Sequence, residues 1–207
     1  MLLKTVPVTD FMTNCYILAD EATKEALVID PGGSGARLIK IINEAGLKLV
    51  GIVNTHAHID HIGANQELKA AFGCPVMLHK QDEPIMAAAS QMGRMFGLKV
   101  DDQPGPDRNL SEGDEVAAGS LTFKVVETPG HSPGGICLIG QSCCFVGDTL
   151  FAGSIGRTDL PGGDYKTLIR SIEQKLMVLD DDMQVYTGHG PATTIGTERR
   201  TNPFLMG

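Results

Sequence analysis

Thr55-His56-Ala57-His58-Ile59-Asp60-His61 sets three imidazoles and a carboxylate within six consecutive positions. The stretch follows Leu49–Thr55, an apolar, β-branched run that reads as a strand, and precedes Gly63–Ala71, which reads as a helix. Imidazole nitrogen and carboxylate oxygen are ligands that zinc, iron and manganese accept. A turn between strand and helix aims alternate side chains at two adjacent centres, with His56 and His58 facing one way and Asp60 and His61 the other. A short His-rich tract also occurs as an adventitious metal binder without catalysis. The rest of the chain separates these readings. His131 in TPGHSPGG and His189 in TGHGP lie at strand ends beside Gly or Pro, and Asp148 follows the apolar run Cys144-Phe145-Val146-Gly147. Strand termini are where loop-bordered sites are assembled, although Asp148 in that position also reads as a helix or turn cap. His79, after PVML and near no other ligand type, reads as structural or exposed and is left outside the site.

Outward from this stretch, Leu2–Val8, Asn14–Leu18 and Ala26–Asp30 read as strands, the third ended by Pro31-Gly32-Gly33. Ser34–Ala45 carries Leu38, Ile41 and Ile42 at helical spacing and closes at Gly46. Pro75–His79 reads as a strand and Asp82–Phe96 as a Met-rich helix. Met86, Met92 and Met95 there serve either ordinary packing or an adaptable substrate wall. DDQPGPDRN, between Val100 and Leu110, is a loop. Leu121–Glu127, Gly135–Ile139 and Cys143–Gly147 are further strands, followed by a helix over Tyr165–Leu179 and a strand over Gln184–Thr187. Two halves of strands followed by helices suggest two packed sheets with helices outside; one mixed sheet stays open on periodicity alone.

A chain of 207 residues with 42% hydrophobic residues buries the core of one domain. With 25 acids against 17 Lys and Arg, a net charge of -8, it has no basic stripe for nucleic acid. The five cysteines are odd in number and lack CxxC spacing, against both a disulfide framework and a structural zinc site. Vicinal Cys143 and Cys144 read as core residues of a strand. The N-terminus shows no charged leader with a long apolar stretch, and no segment reaches membrane-spanning length. The expectation is an unsecreted cytoplasmic protein with no membrane partner; its oligomeric state is not legible.

HAHIDH with the later TPGHSPG, GD and GHG closely resembles the metallo-β-lactamase superfamily over nearly the whole chain. The resemblance implies an α/β fold, a four-layer αββα sandwich, with two divalent metal ions, zinc first and iron or manganese as alternatives. It places one metal on His56, His58 and His131 and the other on Asp60, His61 and His189, with Asp148 bridging. Such a pair acidifies a shared water into a hydroxide nucleophile near neutral pH and polarises the carbonyl under attack. Asp60 is the candidate proton acceptor, and no Ser or Cys nucleophile is required.

Within the superfamily, AGSIGRTDLPGGD and GHGPATTIGTERRTNPF look like the short glyoxalase II-like hydrolases, that is, hydroxyacylglutathione hydrolases, whose relatives cleave S-D-lactoylglutathione. The implied substrate is a small-molecule thioester, glutathione-derived or related. Arg157 matches a basic substrate-binding position, where a cation pairs with a glutathione carboxylate, or else it anchors its own loop. Two features depart from the family pattern. Full-length glyoxalase II continues into a helical, glutathione-contacting C-terminal domain, whereas residues 1–207 read as one domain without it, and Asp159 stands where the family tends to place a tyrosine. Persulfide dioxygenases resemble the same ligand motif and share Gly156-Arg157-Thr158-Asp159, but use one iron, held by the counterparts of His56, His131 and Asp148. A noncatalytic metal-binding module is a third reading. β-Lactam hydrolysis is set aside because no export signal is visible.

Overall fold

Strand β2 (Thr13–Ala19) is buried at every position. Because side chains alternate across a strand, it serves two cores: Cys15, Ile17 and Ala19 enter one, Tyr16 and Leu18 the other. A computed structural model describes residues 1–95, 101–103 and 105–206. In it, β1 (Leu2–Val8), β2, β3 (Glu25–Ile29), β4 (Lys48–Val53), β5 (Val76–His79) and β6 (Arg108–Leu110) form one six-stranded sheet in sequence order. Its first three strands are antiparallel and the rest join in parallel. Parallel neighbours need crossovers. Helix α1 (Gly35–Glu44) makes the first, and α2 (Ile59–Ile62) with α3 (Asn65–Phe72) makes the second.

After β5 come a 3-10 turn (Lys80–Asp82), α4 (Glu83–Ala87) and α5 (Ala89–Met95). The second half supplies β7 (Glu115–Ala118), β8 (Leu121–Glu127), β9 (Ile136–Ile139), β10 (Cys143–Gly147), a small hairpin of β11 (Leu150–Phe151) and β12 (Ser154–Ile155), then α6 (Tyr165–Ser171) running into a π turn over Ile172–Leu176. It closes with β13 (Gln184–Thr187), β14 (Thr193–Thr194) and α7 (Ile195–Thr201). The second sheet has the order β14-β13-β10-β9-β8-β7.

Three cores define the layers. Leu38, Ile42 and Leu68 of the helices pack on Ile17, Val28 and Ile52 of the first sheet. Between the sheets, Leu18, Leu27 and Val53 meet Phe123, Val125 and Leu138. There Phe145 stacks on Tyr186 with ring centroids 5.1 Å apart. On the far face Leu168, Ile172 and Leu176 cover Cys144, Val146 and Val185. The result is the four-layer αββα sandwich; two sheets, not one mixed sheet, share the central core.

The structure corrects several local expectations. The Met-rich helix is broken: Ala88 (φ -86, ψ -1) caps α4, and Met86 is buried while Met95 is 75% exposed, so the methionines do not form one face. Phe96 lies outside the described residues. The loop between Val100 and Leu110 ends in strand β6, with Val100 and Pro104 likewise outside them. Helix α1 starts at Gly35 because Ser34 is left-handed (φ 59). Strands β7, β11, β12 and β14 and helices α2 and α7 are additions to the sequence reading. Among the described residues no helix is long and apolar enough to cross a membrane. All five cysteines are unpaired and buried.

Candidate metal centre

The site forms where strand ends from both sheets meet. Beyond β4, the chain runs through Asn54 and Thr55 to His58, which opens α2 in extended conformation (φ -66, ψ 150). The close fit of this turn against the loop after β3 explains two glycines. A Cβ on Gly32 would overlap the Asp60 carbonyl, and one on Gly63 would overlap the carbonyl of Gly32. His131 follows β8 and Asp148 follows β10, past Gly147 (φ 49), where a Cβ would strike Thr55. His189 follows β13 and is bridged to Thr13 across the sheets. Asn14 Nδ2 and the Tyr16 hydroxyl donate to the Thr187 carbonyl at 3.1 and 2.6 Å, holding that loop to β2.

All seven residues read as ligands converge. His58 Nδ1 lies 2.9 Å from His131 Nε2, which lies 3.2 Å from His56 Nε2. His189 Nε2 is 3.2 Å from Asp60 Oδ2 and 3.4 Å from His61 Nε2. Asp148 stands between the trios, with Oδ1 3.4 Å from His61 Nε2 and Oδ2 3.6 Å from His131 Nε2 and 3.5 Å from His189 Nε2. Two imidazole nitrogens on one tetrahedral zinc ion, at about 2.0–2.1 Å each, stand about 3.3 Å apart. The two imidazole contacts of His131, 2.9 and 3.2 Å, fall just short of that spacing. Asp148 Oδ1 is buried without a hydrogen-bond partner. A buried acceptor aimed into a ring of convergent lone pairs is the arrangement a cation satisfies, so the donor set fits metal.

The opposite ring nitrogens fix the tautomers. His131 Nδ1 donates to the Arg157 carbonyl (2.7 Å) and His189 Nδ1 to the Phe11 carbonyl (3.0 Å). His61 Nδ1 meets Asp30 Oδ2 at 3.1 Å. The Thr55 hydroxyl donates to the same Asp30 oxygen (2.6 Å) and therefore accepts from His56 Nδ1 (3.1 Å). In the neutral rings that metal binding requires, these acceptors would leave each Nε2 lone pair toward the centre, while His58 alone presents Nδ1. Thr13 Oγ1 donates to Asp60 Oδ2 at 3.0 Å.

Charge divides the site. Burial, with repulsion from the neighbouring imidazoles, holds His56 well below its ordinary range and His58 down to about 4. Burial acts the same way on His61 and His189, but the carboxylates of Asp148 and Asp60 outweigh it and raise them to about 9 and about 10. Against its own burial, Asp60 is held below the carboxylate range by His61 and His189, and Asp148 likewise.

Other candidates fall outside the cluster. The Arg157 side chain is exposed and bound through Nε and Nη2 to Asp159 at 2.7 and 2.8 Å; only its carbonyl touches the site, through His131. His79 Nε2 lies 3.2 Å from Glu127. Sequence reasoning missed Asp30, which also accepts from Thr55 N at 2.7 Å. The sequence reads Asp30 only as the last residue of a strand before Pro-Gly-Gly, and nothing local signals its partner His61. Beside Asp60 a cleft of about 430 Å³ opens, lined by Thr9, Phe11, Gly33, Ser34 and Ile59 and edged by acids including Glu67.

Residues 8–189 match the family model of the Metallo-beta-lactamase superfamily. The chain is 43% identical over 209 residues to the hydroxyacylglutathione hydrolase GloC of Haemophilus influenzae, covering 99% of this chain and 98% of that one. The solved structure of the BLEG-1 B3 metallo-beta-lactamase superposes with a TM-score of 0.93 at 40% identity, covering 100% of both chains. That of TTHA1623, in a di-iron-bound form, gives 0.90 at 39%, covering 98% of this chain and 100% of the other. With the four-layer fold and the convergent His and Asp donors already in place, these matches establish that the chain belongs to the metallo-beta-lactamase superfamily of metallo-hydrolases.

Proposed function

We propose that this protein is a dinuclear thioester hydrolase acting on S-D-lactoylglutathione or a related small thioester. The observation that carries the hydrolase reading is the pair of donor trios flanking Asp148, whose buried Oδ1 is unpartnered. The thioester reading is supported by full-length similarity to a hydroxyacylglutathione hydrolase. His56, His58 and His131 would hold one ion and Asp60, His61 and His189 the other, with Asp148 shared; zinc is the first choice, and the di-iron relative supports iron as an alternative. Bound there, the metals would acidify a water and polarise the thioester carbonyl.

The chain's own side chains supply the rest. Thr55, Asp30 and the Arg157 and Phe11 carbonyls hold the rings in register, so little reorganisation is needed at the reacting atoms. Asp60 reaches the edge of the cleft and is the proposed proton acceptor. Arg157 is proposed to exchange Asp159 for a substrate carboxylate, since both lie exposed beside the site. The single four-layer domain is the proposed catalytic unit.

The test is free-thiol release from S-D-lactoylglutathione by metal-loaded protein without oxygen. Release that requires metal supports the proposal. No release, with oxygen consumption on glutathione persulfide, moves the assignment to a mononuclear-iron persulfide dioxygenase. Opening of a chromogenic β-lactam with no thiol release moves it to the activity in the BLEG-1 relative's name.

A further inference from the structure

Asp82 is fully buried on the 3-10 turn after β5, outside both donor trios. Its Oδ2 accepts from Ala57 N at 2.9 Å and from the Ser132 hydroxyl at 2.8 Å, and its Oδ1 accepts from Gly134 N at 2.6 Å. Ala57 separates His56 from His58, and Ser132 follows His131. Each imidazole of that trio is therefore one residue from an atom that Asp82 holds. The two loops come from different sheets, one after β4 and the other after β8, so sheet pairing does not tie them to each other. Fit around the carboxylate is tight: a Cβ on Gly134 would meet Asp82 N at 2.8 Å and His79 Nδ1 at 2.9 Å.

We infer that Asp82 is a positioning residue for the centre formed by His56, His58 and His131, acting through the backbone on either side of the ligands. The geometry favours a carboxylate specifically. Its three partners are two N–H groups and a hydroxyl already donating, one set on each oxygen, and a carboxamide would turn an N–H against one of them. Burial pushes the Asp82 carboxyl up, partly countered by these three bonds. A carboxylate spaced one residue behind the ligands also adds negative potential where a cation would sit.

This inference rests on the metal-centre reading, and the experiment separates the two. Wild type, Asp82→Asn and Ser132→Ala are stripped of metal and titrated with Co²⁺ against a chromophoric chelator. Ligand-field absorption and thermal unfolding of the metal-free proteins are followed alongside. The expectation for Asp82→Asn is a weakening of one of two Co²⁺ sites by about 10–100-fold, with the second retained. Its kcat falls while KM stays within about twofold. Ser132→Ala, which keeps two of the three bonds, shifts the same site in the same direction by less, and serves alone if Asp82→Asn does not fold. Wild-type affinity at both sites in a folded variant, with only a lower unfolding temperature, overturns the inference and leaves Asp82 a structural residue. Failure of wild type to bind Co²⁺ overturns the metal-centre reading itself.

Discussion

Asp30 Oδ2 stands 3.1 Å from His61 Nδ1 and 2.6 Å from Thr55 Oγ1, so one buried carboxylate orients two rings of the centre, His61 directly and His56 through Thr55. Asp30→Ala leaves the Thr55 N–H and hydroxyl and the His61 N–H unpaired together. We expect a loss of about 3 kcal/mol in urea unfolding, because buried donors would lose a charged acceptor. Metal affinity should fall by about 10–100-fold in chelator competition. Asp30→Asn, which keeps the side-chain size and tolerates the left-handed backbone (φ 51), should recover more stability than affinity.

Asp148→Ala separates folding from turnover. The substitution removes a carboxylate that lies among three imidazoles, His61, His131 and His189, with one oxygen lacking a hydrogen-bond partner, so the metal-free protein should melt within a few degrees of wild type. Turnover should drop by more than about 100-fold, since a shared ligand is lost and not merely its support. His58→Ala should behave alike. Full activity in either would sink the dinuclear reading.

Gly32→Ala tests the close approach beneath the ligand turn. A methyl there cannot coexist with the Asp60 carbonyl, and the obstacle is backbone, which cannot rotate away. Calorimetry should register a destabilisation of about 3 kcal/mol or more. The control is Gly73→Ala, where nothing lies within 4 Å and only the positive φ is penalised, at about 1 kcal/mol.

Arg157 and Asp159 give opposite signs if the arginine serves substrate. Arg157→Ala should raise KM for an anionic thioester at unchanged kcat, whereas Asp159→Asn, by freeing the guanidinium, should lower KM. If the pair only anchors its loop, both variants shift steady-state kinetics in the same direction.

A pH dependence follows from Asp20, which accepts from Ala22 N, Ser120 N and the Ser120 hydroxyl and joins the β2–β3 hairpin to the β7–β8 turn. The Ser120 and Ala22 bonds hold its carboxyl well below the usual range. A depressed carboxyl contributes stability above the unfolded value of about 3.9 and loses it as pH falls through the folded one. The stability difference between wild type and Asp20→Asn should therefore be constant near neutrality and shrink below about pH 4, as read by urea midpoints.

The seven side chains that converge at the candidate centre were legible in sequence because ligand-type side chains recur at strand ends, and that signal does not depend on knowing the fold. Asp30 and Asp82 escaped because their partners, His61, Ser132 and Gly134, are tertiary neighbours far away in sequence. The four layers came through the family resemblance; periodicity alone left a mixed sheet open, since β2 is apolar on both faces. Two-residue strands such as β11 and β14 carry too few positions for alternation to register. The long helix after His79 fractured because the apolar spacing that suggested it says nothing about Ala88 closing a turn.

The bond from His189 Nδ1 to the Phe11 carbonyl spans 178 residues of chain. At roughly 5–20 residues per second of synthesis, the acceptor waits roughly 10–35 s for its donor. During that interval the His56–His61 turn exists without its closing ligand, so a growing chain offers imidazoles but no finished cage. Completion of the centre is thus a late event of biogenesis, coupled to the docking of the last parallel strand, β13, onto β10. If the centre holds metal as proposed, an ion captured before that moment would meet an open set of ligands and stay exchangeable, so the choice of metal would wait until β13 has docked.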